Sequence, residues 1–254
     1  MRTPGPAFPQ MTPLPSAAEI RARLDAIRDS RGGYLLPHHG PLVAALPDLH
    51  AAYEAMYRAL TLDQRHLEPK LKEFVWLAIL ACREEVVGTH HLDLFLRHGG
   101  TDAEAGIAFR RAAWARGAPS FAALAGAWQR QLPGLPLDAA YHAGVAALLA
   151  GSGVPEAWAR LALVGAHTTL DAARDHGWSL AEDLLAAHRL DVPEPEIAEA
   201  MSLAIWVCGV NPYVRAADCW LGLIRQGRVS PSPAFLAWAE TRGQGAFTPK
   251  PSGD

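Results

Sequence analysis

Apolar residues recur along most of the chain at the three- and four-residue spacing of an amphipathic α-helix. Ser16 precedes Glu19 by three residues, the pattern of a capping box, so a first helix is predicted over 16–28. No alternating run of β-branched and aromatic residues exceeds four positions, and an all-α fold is therefore expected. Further helices are predicted over 41–60, 69–87, 89–98, 102–116, 119–131, 138–150, 155–174, 175–189, 194–209 and 212–226.

The two ends of the chain lack such patterns. Met1–Pro15 is rich in proline and has no continuous apolar stretch of the kind that a secretion signal needs. In 230–254 one short apolar piece, Phe235–Trp238, is followed by glycine, proline and serine, so we expect a loosely attached tail. The most apolar stretch, 74–82, is far shorter than the ~20 residues that span a bilayer. A soluble, cytoplasmic protein without a membrane partner is therefore predicted.

Residues of the two halves match at similar offsets, which indicates an internal duplication. Trp114 and Trp206 are 92 positions apart, as are Trp128 and Trp220, and an upstream apolar run recurs at an offset of 84. We therefore expect two similar helical units packed about a pseudo-twofold axis. The predicted parts are an N-terminal extension with the first helix (1–32), a first repeat (33–132), a second repeat (133–228) and a C-terminal tail (229–254).

Composition and charge exclude several classes of function. The 254 residues carry a net charge of −3, so there is no basic surface for a nucleic-acid backbone, and no nucleic-acid partner is expected. The three cysteines are odd in number and widely spaced, which is typical of free thiols in a reducing compartment. The chain has no glycine-rich phosphate loop, nucleophile elbow or dinucleotide fingerprint, which argues against nucleotide cofactors and serine hydrolysis.

A set of spaced residues resembles the carboxymuconolactone decarboxylase family, the superfamily of alkylhydroperoxidase D (AhpD-like). Lys72 and Glu73 open a long apolar helix, His91 lies in the next helix, and a Gly99-Gly100-Thr101 turn begins eight residues after the histidine. The similarity extends over most of 33–226. It implies an all-α AhpD-like helical bundle that assembles as a homo-oligomer and acts on a small molecule.

The chain departs from the peroxidase branch of that family. This branch carries a Cys-x-x-Cys pair seven and four residues before the histidine. Glu84 and Val87 occupy those positions before His91, and Thr169 and Ala172 occupy them before His176. The resemblance therefore implies no thiol peroxidase activity, whereas the decarboxylase branch, which also lacks the pair, remains open.

Three polar residues are candidates for catalysis: Glu73, Glu84 and His91. Glu73 and Glu84 lie 11 positions apart, at the two ends of one apolar helix face, and burial would raise their pKa values into the range useful for proton transfer. His91 faces inward from the next helix. The alternative is structural: Glu73 pairs with an arginine or a helix N-terminus, Glu84 reaches solvent, and His91 is a hydrogen-bonded core histidine.

No metal and no cofactor are expected. His167 and Asp171 stand four residues apart and His176 follows, a spacing that can bind zinc or iron. However, neither repeat has a His-x3-His or Glu-x-x-His motif, and structural hydrogen bonds are the favoured role.

The predicted function is that of a carboxymuconolactone decarboxylase-like lyase, a cofactor-independent acid/base enzyme for a small organic acid or lactone. The alternative is a degenerate, non-catalytic family member that binds a small ligand or serves as an oligomeric scaffold. The two hypotheses differ in whether His91 and the carboxylates converge on one enclosed cavity.

Overall fold

The structure is a computed structural model that describes residues 14–244, apart from the side chain of Ala173. Within these residues the chain is helical and contains no strand, which confirms the predicted all-α fold. No helix in this range combines the length and the apolar character needed to cross a membrane. The helices are α1 (Ala17–Ser30), α2 (His39–Ala45), α3 (Pro47–Tyr57), α4 (Pro69–Arg83), α5 (Thr89–Arg97), α6 (Asp102–Gly117), α7 (Pro119–Trp128), α8 (Leu137–Leu149), α9 (Glu156–Leu170), α10 (Trp178–Arg189), α11 (Glu194–Cys208), α12 (Val210–Arg225) and α13 (Pro233–Glu240).

Local backbone chemistry explains where the helices depart from the predicted ranges. The range 41–60 splits into α2 and α3 because Leu46 precedes Pro47 and takes a non-helical conformation. After α3 the chain makes a π-helical turn, Arg58–Leu62. Helices α4 and α9 end earlier than predicted because Glu84 and Asp171 have positive φ angles of 56° and 74°.

The chain divides into two compact units, unit 1 ending at Asp63 and unit 2 beginning at Gln64. Unit 1 contains α1 to α3, and α2 packs against both of its neighbours. Unit 2 contains α4 to α13 and carries the large hydrophobic core.

Helices α4 and α9 form the centre of unit 2. Every residue from Leu71 to Leu80 is buried, and so is every residue from Ala159 to Thr169. A helix that is buried on all sides belongs to a core rather than a surface. The two helices approach closely at Gly165, where a Cβ atom would lie 3.0 Å from Cγ1 of Val75. Polar residues at these positions, Glu73 among them, are therefore inside the protein.

The C-terminal segment differs from the loosely attached tail expected from its sequence. Residues 233–240 form α13, and the rings of Phe235 and Trp238 pack on Trp220 of α12 with centroid distances of 4.9 and 5.8 Å. Arg225 also donates a hydrogen bond from Nε to the carbonyl of Ala239 at 2.9 Å. Three aromatic rings from two helices bury enough apolar surface to hold this segment in place. The remainder of the predicted tail, 245–254, lies outside the described residues.

The glycines of the predicted family turn have separate structural roles. Gly99 has a φ of 80°, the left-handed conformation that commonly ends a helix, and it follows α5. Gly100 has an ordinary φ, but a Cβ atom there would overlap the fully buried ring of Phe95. The turn therefore depends on the absence of a side chain at Gly100.

Gly100→Ala should lower the free energy of unfolding by about 1–3 kcal/mol, because the buried Phe95 ring would have to move. Gly106→Ala is the control: it lies inside α6 with open space at its Cβ position and should be neutral or stabilising by up to about 1 kcal/mol. Urea denaturation monitored by circular dichroism measures both. Equal effects of the two substitutions would contradict the steric explanation.

Candidate active site

Glu73 and His91 meet in the core of unit 2. Nδ1 of His91 on α5 lies 2.7 Å from Oε2 of Glu73 on α4. Glu73 is 4% exposed and His91 is 2% exposed. Helix α5 returns along α4 through a short turn in which Gly88 lies against Leu80, and a Cβ atom at Gly88 would be only 2.7 Å from that side chain. The tight turn thus places the histidine beside the carboxylate.

The histidine is also fixed by its neighbours. The indole of Trp76 stacks on the imidazole of His91 with a centroid distance of 4.3 Å and an interplanar angle of 20°. The ring of His90 has its centroid 4.1 Å from that of His91. Lys72, on the same helix as Glu73, is buried and has its Nζ 3.9 Å from Glu199. Stacking and hydrogen bonding together restrict the orientation of the imidazole.

Burial shifts the two pKa values in opposite directions. Burial raises the pKa of Glu73 to about 7, although the positive charges of Lys72 and His90 oppose this rise. Burial lowers the pKa of His91 to about 3, and Lys72 adds to this decrease. Below neutral pH the Glu73 carboxyl group therefore holds the proton and donates it to Nδ1 of a neutral imidazole. Such a pair exchanges a proton within the pH range in which enzymes work.

Glu84, the third predicted site residue, does not join this pair. It is the left-handed residue that ends α4, its side chain is 72% exposed, and it forms an ion pair with Arg116 at the surface. The helical spacing that aligned Glu84 with Glu73 no longer holds there, because α4 ends one residue earlier. The structure thus brings Glu73 and His91 together and places the side chain of Glu84 at the surface.

Two cavities of unit 2 are lined by other residues. The larger is an open groove of about 770 Å³ whose walls include Trp178, Glu182 and Arg215, and the smaller, of about 10 Å³, is lined in part by His167. Neither has Glu73 or His91 in its wall. Neither cavity is therefore the enclosed pocket beside Glu73 and His91 that would favour the enzyme over the non-catalytic protein.

A second buried polar cluster is centred on Asp183 of α10. This fully buried carboxylate accepts hydrogen bonds from Tyr141 at 2.5 Å and from Arg160 at 2.7 Å, and His167 lies 3.1 Å away. Burial by itself would raise the pKa of Asp183, but the hydrogen bond and charge of His167, together with Arg160, outweigh it and lower the pKa. Tyr141, Arg160 and Asp183 were not predicted from the sequence. The sequence feature that could have indicated this cluster is Asp183, an aspartate on the apolar face of a predicted helix.

The residues considered for a metal in the second half have other partners. Asp171 ends α9 and forms two contacts with Arg215, at 2.5 and 2.6 Å, while His167 belongs to the Asp183 cluster. Hydrogen bonds and ion pairs thus engage both side chains.

All three cysteines are free thiols. Cys82 is buried, and burial raises its pKa to about 12. Burial likewise raises the pKa values of Cys208 and Cys219. A thiol must ionise to attack a peroxide, so these groups are in unfavourable environments for that reaction.

The raised pKa of Glu73 predicts how Glu73→Gln changes the pH dependence of stability. In the wild type, ionisation of the buried carboxyl group costs stability as the pH rises from its ordinary pKa of 4.5 through about 7. The amide cannot ionise. The free energy of unfolding of the variant relative to wild type should therefore increase over this window, by up to roughly 3 kcal/mol, and then level off.

Urea denaturation at a series of pH values measures this difference. Glu84→Gln is the control, since Glu84 is exposed, and its difference from wild type should stay flat over the same window. A flat profile for Glu73→Gln would show that the carboxyl group titrates normally.

Comparison with known proteins agrees with the resemblance seen in the sequence. Residues 47–130, the segment that holds α3 to α7 and with them Glu73 and His91, match the model of the Carboxymuconolactone decarboxylase family. Comparisons of the chain with curated proteins and with solved structures give no match. Residues 47–130 are thus similar to the carboxymuconolactone decarboxylase family, and the all-α fold is consistent with the AhpD-like superfamily.

Proposed function

We propose that this protein is an acid/base enzyme, similar to carboxymuconolactone decarboxylases, that acts on a small organic acid or lactone. Glu73 and His91 transfer the protons, and this chemistry needs no cofactor. The observation that supports the proposal is the 2.7 Å contact between the two side chains, both of them buried in the segment that matches the family.

The proposed reaction uses both nitrogens of His91. In the neutral imidazole, Nδ1 accepts the hydrogen bond of protonated Glu73, so Nε2 carries the other proton and is the donor. When a carboxylate substituent leaves as CO₂, the electrons of the broken C–C bond remain on the neighbouring carbon as a carbanion or enolate. His91 gives that carbon its Nε2 proton while Nδ1 takes the proton of Glu73. Such positioned proton transfer contributes about 10²–10⁴-fold to a rate.

We also propose that the duplication is real and that only the first half keeps the acid/base pair. Helices α4 and α9 begin 87 residues apart and their left-handed end residues, Glu84 and Asp171, have the same separation, whereas α6 and α11 begin 92 residues apart. The structural offset of the first helix is thus 87, not the 84 read from the sequence. Trp128 and Trp220 lie on corresponding helices, α7 and α12, but are 57% and 3% exposed because α13 covers only the second.

At these offsets, the positions in the second half that correspond to Glu73 and His91 are occupied by other residues. Glu73 corresponds to Arg160 at an offset of 87, and His91 corresponds to Asp183 at an offset of 92. Arg160 and Asp183 are again in contact at 2.7 Å, but the signs of the charges are reversed. A guanidinium group keeps its proton throughout the physiological range, so this second pair cannot exchange a proton as the first can.

A cytoplasmic homo-oligomer remains the proposed setting. The three free cysteines fit a reducing compartment. Large apolar side chains at the surface of unit 2, including Phe109 and Trp128, fit contacts with further copies of the chain.

The second candidate function is that of a non-catalytic family member that binds a small ligand or forms a scaffold. The observation in its favour is the near-complete burial of His91 beneath Trp76, away from the two cavities described above. A buried Glu–His pair of this kind also stabilises a core by satisfying two polar groups.

The activity test uses carboxymuconolactone and a panel of related γ-lactone acids, with release of CO₂ as the readout. Wild type and Glu84→Gln should turn over at similar rates. Glu73→Gln and His91→Gln should lower kcat by about 100-fold or more, because each removes one step of the proton transfer. Turnover that survives both substitutions would contradict the assigned roles, and absence of turnover on the whole panel would favour the non-catalytic candidate.

A separate prediction concerns peroxide chemistry. We expect no dithiol-dependent reduction of hydroperoxides, because Glu84 and Val87 replace the cysteine pair and the remaining Cys82 thiol is buried. Cys82→Ala should leave the native activity unchanged and cost about 1 kcal/mol of stability. Dithiol-driven peroxide turnover that is abolished by Cys82→Ala and retained by His91→Gln would overturn this assignment.

A further inference from the structure

Three potential metal ligands, none of them a member of the Glu73–His91 pair, converge in unit 1. Nδ1 of His39 lies 3.0 Å from Nε2 of His50, and the two nitrogens lie 3.7 and 3.9 Å from Oε1 of Glu54. His50 and Glu54 are four residues apart on α3, so they project from one face of that helix. His39 comes from the start of α2, which packs against α3.

The spacing of these atoms fits a bound ion. Ligands about 2.0–2.1 Å from a tetrahedral zinc ion lie about 3.3 Å from one another. The observed separations of 3.0, 3.7 and 3.9 Å bracket that value. Side-chain adjustments of a few tenths of an ångström would bring all three atoms to bonding distance. Two imidazoles and one carboxylate are also a ligand set that zinc and iron use in proteins.

Two histidine nitrogens in this region lack hydrogen-bond partners among the described residues. The side chain of His39 is fully buried, and its Nε2 has no hydrogen-bond partner among the described residues. Nε2 of the neighbouring His38 is buried and has no hydrogen-bond partner among the described residues. This part of unit 1 therefore holds more imidazole nitrogen than its hydrogen bonds use.

Groups around the cluster hold the ligands in position. Arg31 contacts both carboxylate oxygens of Glu54, at 2.8 and 3.0 Å, and thereby fixes the orientation of the carboxylate. The ring of Tyr53 lies against those of His39 and His50, with centroid distances of 5.9 and 6.4 Å. Hydrogen bonding and packing of this kind orient the ligands of known metal sites. The positive charge of Arg31 opposes a dication, which lowers the affinity without removing a ligand.

The described residues of unit 1 bury little apolar surface that could account for its stability. Neither α1 nor α3 contains a buried residue, and α2 contributes only His39 and Val43. Small helical units with so little buried apolar surface are commonly stabilised by a metal or a disulfide. The cysteines all lie in unit 2, so a disulfide is not available to unit 1.

We propose that His39, His50 and Glu54 form a binding site for one divalent transition-metal ion of the zinc class. Three protein ligands leave one tetrahedral position for water, and Glu54, about one third exposed, marks the side open to solvent. The sequence predicted no metal, because neither repeat has a His-x3-His or Glu-x-x-His motif, whereas the pair on α3 is His-x3-Glu. His39 also lies outside the segment that matches the family.

The test uses the full-length protein, stripped of metal with a chelator and titrated with Co²⁺ as a spectroscopic probe for zinc. We expect one equivalent to bind, with visible d–d absorption of a four-coordinate site, and Zn²⁺ to displace it. His39→Ala, His50→Ala and Glu54→Gln should each weaken binding by at least about 10–100-fold. His66→Ala, an exposed histidine of unit 2, is the matched control and should bind like wild type.

Circular dichroism of each variant separates loss of the site from loss of the fold, and Glu54→Gln is the variant that best preserves shape. Thermal melts give a second readout, since Zn²⁺ should raise the Tm of wild type and of His66→Ala but not that of folded Glu54→Gln. Failure of folded wild type to bind Co²⁺ or Zn²⁺ stoichiometrically would overturn the proposal. Wild-type affinity in all three ligand variants would overturn it equally, whatever the outcome of the activity test.

Discussion

The burial of the central residues of α4 and α9, 71–80 and 159–169, is the constraint on which the rest of unit 2 depends. A polar side chain on a helix with no solvent-exposed face must find its partner inside the protein, because an unpaired buried charge is very costly. Glu73 therefore requires His91, Arg160 requires Asp183, and Lys72 lies beside Glu199. The positions of α5, α10 and α11 around the central pair follow from these partnerships as much as from apolar packing.

The same burial gives the Glu73–His91 and Arg160–Asp183 pairs different chemistry. A carboxyl group beside a neutral imidazole is a pair in which removal from water favours the uncharged form of both members, so the proton stays between them. A guanidinium beside a carboxylate remains an ion pair under the same conditions, and the lowered pKa of Asp183 reflects this. The first pair therefore holds a labile proton, whereas the second is a fixed pair of charges; under the proposed duplication the two pairs occupy corresponding positions. The second pair then serves to hold Tyr141 and His167 in place.

The described part of unit 1 buries much less apolar surface than unit 2. Its helices are short and mostly exposed, and the best-buried side chains include a histidine and a threonine. Apolar burial alone gives little stability at this scale. In the proposed metal site of two histidines and a glutamate, a bound cation would substitute for the missing apolar core. The Glu73–His91 pair and the proposed metal site belong to different units.

The sequence by itself determined most of the helices, because periodicity and capping act over one or two turns, and its resemblance to the family indicated Glu73 and His91 as candidates. It did not determine which side chains meet. Glu84 left the predicted face when the backbone turned left-handed, Asp183 gained three partners from other helices, and α13 formed because Trp220 offered it a surface. His39 likewise reaches His50 and Glu54 only through the packing of α2 on α3. Helical spacing fixes the face from which a side chain projects, whereas only the packing of helices in three dimensions decides what that face contacts.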